Sequence, residues 1–137
     1  MTWPAGTSSR AMRPLALALL LSLSCAGTAA AGLPPSRSAV AQQQLARFLS
    51  AVEGGRWAEA HALLSARWRG RLTPGGLAAD RAAAGPVGAA AVARARAVLD
   101  AGVALDLRGG TALLPVGPGK AAVLVEEGSD WYVDAVE

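Results

Sequence analysis

The sequence predicts an α+β domain whose N-terminal helices pack on a C-terminal antiparallel sheet. Three observations predict it. From Ser38 to Asp100 apolar residues recur mainly at the three- and four-residue steps of helices, between glycine and proline stops. From Val103 onward they alternate with polar residues, between short Gly-rich turns. The changeover happens once, so helices come first and strands last, the order of an α+β domain.

The first helix begins at Ser38. Its apolar stripe is Ala41, Leu45, Phe48, Leu49 and Val52, and Gly54-Gly55 stops it. A second helix is expected from Trp57 to Gly70, with Trp57, Ala60, Leu64 and Trp68 on one face and Leu63 beside it. Arg67 and Arg69 suit the negative pole at its end. A third helix has Thr73 as N-cap, Pro74 at its first position and Gly85 as its stop, and Gly75-Gly76 weaken it. Val87 to Asp100 carries two patterns. Ala and Arg favour helix, whereas Ala93 to Ala97 alternates like a strand; the length of the Ala-rich run decides for helix.

Four strands follow. Val103, Leu105 and Leu107 alternate, and Gly109-Gly110 turns the chain. Thr111 to Val116 contains Pro115, which marks an edge or a strand end. "GPGK" turns again, Ala121, Val123 and Val125 alternate, and after "EGSD" Trp131, Val133 and Ala135 close a meander.

Residues 1–31 read as an export leader. Arg10 and Arg13 supply positive charge, and Leu15 to Leu23 forms an apolar core shorter than the ~20 residues that span a bilayer. "MRPLALALLLSLS" from Met12 makes a more compact leader, so Met12 competes with Met1 as the start. Two cuts also compete. Ala29-Ala30-Ala31 fits ordinary cleavage before Gly32, which removes the one cysteine, Cys25. A lipoprotein-type cut before Cys25 instead makes it a lipid anchor and attaches the protein to a membrane. Residues 32–37, "GLPPSR", form a linker, and 38–137 a single domain. The expected location is the periplasm or the exterior, or a membrane face if Cys25 is acylated.

The net charge of +3 shrinks in the exported part. Two of the 13 basic residues lie in the leader, leaving 11 against all 10 acids. That near-neutral domain lacks the field that nucleic-acid binding exploits, so no nucleic-acid partner is expected. Lys120 is the one lysine; the Arg, Ala and Gly excess reads as the coding bias of a GC-rich bacterium.

"FLSAVEGGRWAEAHALLS", Phe48 to Ser65, resembles the opening of small bacterial domains of the nuclear transport factor 2-like superfamily. "GSDWYVDAV" resembles their closing strand, where Trp precedes an apolar-Asp pair. The resemblance implies a curved sheet wrapped by helices into a cone, truncated here by the short strand region. That superfamily holds enzymes, dimerising adaptors and secreted domains, and its enzymes often use a carboxylate base in an apolar pocket.

Few residues offer chemistry. His61, the one histidine, is either a general base or a helix-flank residue without a triad or metal spacing around it. Asp106 shares a strand face with Arg108, which reads as a solvated charge pair, and Asp134 shares one with Tyr132. "SARWRGRL" sets Arg67, Arg69 and Arg71 around Trp68. It reads as helix-end charge around a packed Trp, or as a surface for anionic lipid headgroups. "VGPGK" lacks the spacing of a phosphate loop. No metal and no cofactor is expected. The function expected is a non-catalytic binding or structural module of the bacterial cell envelope, its partner an envelope protein, a small apolar ligand or a second copy joined through the sheet. The alternative is a cone-fold enzyme acting on a small hydrophobic molecule, with His61, Asp106 or Asp134 as acid or base.

Overall fold

The structure, a computed structural model, describes residues 32–137. The leader assigned to 1–31, with Cys25, lies outside the described residues. Helix α1 spans Arg37–Glu53, one residue earlier than Ser38, because Ser36 caps it: its Oγ accepts the Ala39 N–H at 3.1 Å. All five residues of the expected stripe are buried. Gly55 then takes φ +66°, a left-handed conformation that glycine adopts cheaply.

The second helix is not continuous. Helix α2 spans Trp57–Ala62 and α3 Ala66–Arg69, with Leu63 to Ser65 withdrawn from helical bonding. The cause is tertiary. The Val133 N–H donates to the Leu63 carbonyl at 2.8 Å, and the Ser65 N–H donates to the Val133 carbonyl at 2.9 Å. This parallel bridge covers part of a sheet edge that would otherwise stand open. It also buries Leu63, Leu64 and Ser65.

Helix α4 spans Pro74–Asp100, with Thr73 as the expected cap: its Oγ1 accepts the Gly76 N–H at 3.0 Å. It consists of two helices, 74–84 and 86–100, meeting at Gly85 with φ 51° and ψ −137°. Pro86 opens the second, where its missing N–H costs nothing. The second half packs through buried Ala91, Val92 and Ala95, whereas no residue of 74–84 is fully buried.

Strands β1 (Asp106–Arg108), β2 (Thr111–Gly117), β3 (Lys120–Glu127) and β4 (Asp130–Val136) form an antiparallel meander in that order. The first strand is shorter than its alternation implies; ahead of it the Val103 carbonyl accepts from Gln42 Nε2 of α1 at 3.1 Å. Pro115 lies beyond the end of β1, beside a register shift, where strands tolerate proline. The fold is therefore α+β as predicted, with helices on one face of the sheet. Trp131, Leu45, Leu49, Leu114, Leu124 and Val133 are the largest fully buried apolar residues, each worth on the order of 1.5–3 kcal/mol on full burial.

The opposite face is also largely apolar. Register places Leu113, Val123 and Ala135 in one row and Thr111, Val125 and Tyr132 in the next. Asp106 and Arg108 continue these rows onto β1.

Candidate functional site

An open cleft of about 270 Å³ lies between the helices and β4. Phe48 and Val52 of α1, Trp57 of α2 and Trp68 of α3 supply part of its wall. Both halves of α4 contribute, Leu77, Asp80, Arg81 and Ala84 from the first and Gly88, Ala91 and Val92 from the second. Val133 to Val136 of β4 complete it. The cleft exists because of the two breaks described above. The interruption at Leu63 to Ser65 sets Trp68 on a separate short helix, and the turn at Gly85 sets Leu77 and Arg81 on a different axis from Val92.

Asp134 stands at the most connected point of this wall. Between the pairs Val123–Ala135 and Leu124–Val133 it has no partner across the ladder, so it is the extra residue of a β-bulge. Its Oδ1 accepts from Ser65 Oγ at 2.6 Å, and its Oδ2 accepts from Arg67 Nη2 at 2.6 Å. Arg67 Nε adds a longer bond to Oδ1 at 3.3 Å, completing a two-pronged guanidinium–carboxylate pair. The Asp134 carbonyl accepts from Trp68 Nε1 at 2.6 Å. Asp134 therefore ties α3 to β4. Ser65, the buried polar member of the group, was not singled out by sequence reasoning; the position after paired Leu in "LLSARW" was its only signal.

No family model, no curated protein and no solved structure matches the chain.

The other acid–base candidates stand apart from the cleft lining. His61 is half-buried, and its Nε2 donates to the Leu72 carbonyl at 2.6 Å, fastening the segment that leads into α4. Asp106 is exposed and pairs with Arg108 at 2.8 Å, the charge pair expected from their shared face. The structure thus brings Asp134 together with the "SARWRGRL" segment and leaves His61 and Asp106 elsewhere.

Within that segment the arginines divide. Arg67 holds Asp134. Arg69 donates to the Leu64 carbonyl at 2.6 Å and to Glu127 at 3.2 Å, with its guanidinium 4.4 Å from the Tyr132 ring centroid. Arg67 and Arg71 lie 5.0 Å and 5.9 Å from the Trp68 ring centroid. Among the described residues Arg71 has no carboxylate partner. Arg67 and Arg69 of the basic patch thus hold carboxylates of β4 and β3, and Arg71 stands exposed beside Trp68.

Among the described residues no cluster of three or more His, Cys, Asp or Glu side chains is placed to hold a metal ion. No described helix is long and apolar enough to cross a membrane.

Proposed function

We propose that this protein is an exported, non-catalytic binding module of the bacterial cell envelope, and that its cleft takes a small apolar ligand. The carrying observation is an open, mainly apolar cleft whose best-placed carboxylate, Asp134, is engaged by Ser65 and Arg67. A base must be free to receive a proton at a reacting atom. Asp134 and Asp106 are each held by an arginine, and His61 lies outside the cleft lining, which favours binding over catalysis. An apolar cavity of about 150 Å³ suffices for benzene, so this cleft suits a ligand somewhat larger than one ring. We also propose membership of the nuclear transport factor 2-like superfamily. It rests on the resemblance of Phe48 to Ser65 and of Gly128 to Val136 to the opening and closing segments of that superfamily.

Naphthalene titrated into the full chain tests the binding reading, with the indole resonances of Trp57 and Trp68 as reporters. Those resonances should shift and saturate, Ala84→Phe should block the response, and His61→Ala should retain it. Unmoved indole resonances would sink the proposal. Export is checked separately by the intact mass of the mature chain. A start at Gly32, or at an acylated Cys25, supports it, and an uncut chain refutes it.

The apolar outer row of Leu113, Val123 and Ala135 favours a second reading, self-association. One-sided antiparallel sheets normally turn polar residues to water. A face three strand spacings wide and seven residues long is about 15 by 24 Å. With its side-chain relief, two copies would bury on the order of 1,000 Å², the lower limit for a specific interface. The ion pairs Asp106–Arg108 and Arg69–Glu127 edge this face and offer both signs of charge to a second copy.

A further inference from the structure

We infer that residues 74–84 form a movable strap along the cleft, hinged at Gly75-Gly76 and at Gly85, which opens to admit a ligand and closes on it. The inference rests on the reading of the cleft as a small-ligand site.

This wall lines the cleft through Leu77, Asp80, Arg81 and Ala84, yet little holds it in place. Among the described residues no hydrogen bond and no ion pair joins 74–84 to another element. Beyond the helix's own ladder, Thr73 accepts from the Gly76 and Leu77 N–H groups, and Arg81 donates to the Gly85 carbonyl at 3.3 Å, all within one stretch of chain. Asp80 and Arg81 are absent from the ion pairs that tie the other elements. No residue of the segment is fully buried, and Leu77 is the side chain that packs it against the core. Both flanks are fixed. Before the segment, the Leu72 N–H donates to the Trp68 carbonyl at 2.9 Å, and the Leu72 carbonyl accepts from His61. After it, Arg96 donates to the Ala46 carbonyl at 3.2 Å and to Glu53 at 3.1 Å, and Ala91, Val92 and Ala95 are buried. A segment with few buried contacts and no outside hydrogen bonds opens at lower free energy than the core around it. Glycine at both junctions supplies the backbone freedom. Gly85 already sits at φ 51°, and a Cβ built on it meets nothing within 4 Å, so nothing braces that side of the corner. The strap also has a seat. A Cβ on Gly88 would lie 2.7 Å from Ala84 Cβ, well inside the 3.5–4.0 Å at which carbon atoms pack, so the bare glycine lets the strap rest there.

Relaxation dispersion of the backbone amides tests this in the full chain, on the μs–ms timescale of such closures. Exchange should be confined to 74–85, toward a minor state populated at about 0.1–10%, with flat profiles over 89–99. Saturating naphthalene should abolish it. Gly88→Ala should unseat the strap and move the amide resonances of 77–84 toward their minor-state positions. Ala84→Gly added to that variant should bring them back, which a merely damaged fold would not do. Flat profiles at 74–85 in the free protein, or equal exchange over 89–99, would overturn the strap. Resonances of 77–84 that stay in place in Gly88→Ala would overturn Gly88 as its seat. Exchange that persists under naphthalene, while the Trp57 and Trp68 indole resonances respond, would overturn closure on the ligand. Indole resonances that stay unmoved would refute the cleft reading and the strap's part in admitting a ligand, even where exchange at 74–85 upholds the hinge.

Discussion

Replacing Gly85 with alanine separates two accounts of the 27-residue segment Pro74–Asp100, and they differ in sign. In a continuous helix Gly→Ala stabilises by roughly 0.5–1 kcal/mol, because glycine loses more backbone freedom on folding. At φ 51° and ψ −137° an L side chain is strained, at a cost of about 1–3 kcal/mol. A Cβ built on Gly85 meets nothing within 4 Å, so no steric clash contributes and the effect is torsional. Alanine also restricts the unfolded chain, which returns about 0.4–1 kcal/mol. The net expectation is a loss of about 1–2 kcal/mol, or a fall in Tm of about 5–15 °C for a domain of this size. Thermal unfolding followed by circular dichroism measures it. Gly75→Ala is the control: it lies in the first turn of the same helix, where its Cβ meets Thr73 Oγ1 at an ordinary 3.9 Å, and it should be neutral or stabilising. A Gly85→Ala protein as stable as the original, or more so, would refute the turn and the two-walled cleft that depends on it.

Other substitutions probe the clasp, the surface and the sheet. Ser65→Ala removes the 2.6 Å bond to Asp134 from a site only 1% exposed. It should cost about 1–2 kcal/mol in urea unfolding, held to that range because Arg67 remains on the carboxylate. Asp106→Asn breaks a pair whose side chains are 50% and 73% exposed and should change stability by less than about 1 kcal/mol, with ligand affinity unaltered. Val123→Lys places a charge at the centre of the outer sheet face. If the sheet self-associates, sedimentation of the original protein should show a concentration-dependent dimer that the variant lacks, and a monomer in both would reject the reading.

Much of the fold was legible because its elements are punctuated by residues with local physical reasons. Thr73-Pro74 opens a helix by capping chemistry, and Gly55 closes one by conformational freedom. The row Ala112, Leu124, Val133 faces inward because strand side chains alternate. Asp106 and Arg108 were readable as a pair for the same reason. The ambiguous stretch from Val87 to Asp100 resolved as helix, where Ala91, Val92 and Ala95 bury one face and the exposed Ala89, Ala90 and Ala93 contribute propensity alone.

The site was less legible because both breaks that form it depend on distant partners. The stripe Trp57, Ala60, Leu64, Trp68 is regular enough for one helix, and nothing within it announces an interruption. Val133, about seventy residues later, captures Leu63 and Ser65 into a sheet edge, and that tertiary bond outweighs local propensity. The bulge that frees Asp134 to meet Ser65 and Arg67 is likewise a consequence of register, since strict alternation would simply have placed it beside Tyr132. Gly85 was readable as a stop, but not as the corner that turns Leu77 and Arg81 toward the same space as Trp68. The direction of inference at such a site therefore runs from long-range pairing to chemistry. Once β4 has fixed where α3 begins, the basic run Arg67 to Arg71 divides into Arg67 and Arg69, which hold Asp134 and Glu127, and Arg71, which among the described residues holds no carboxylate.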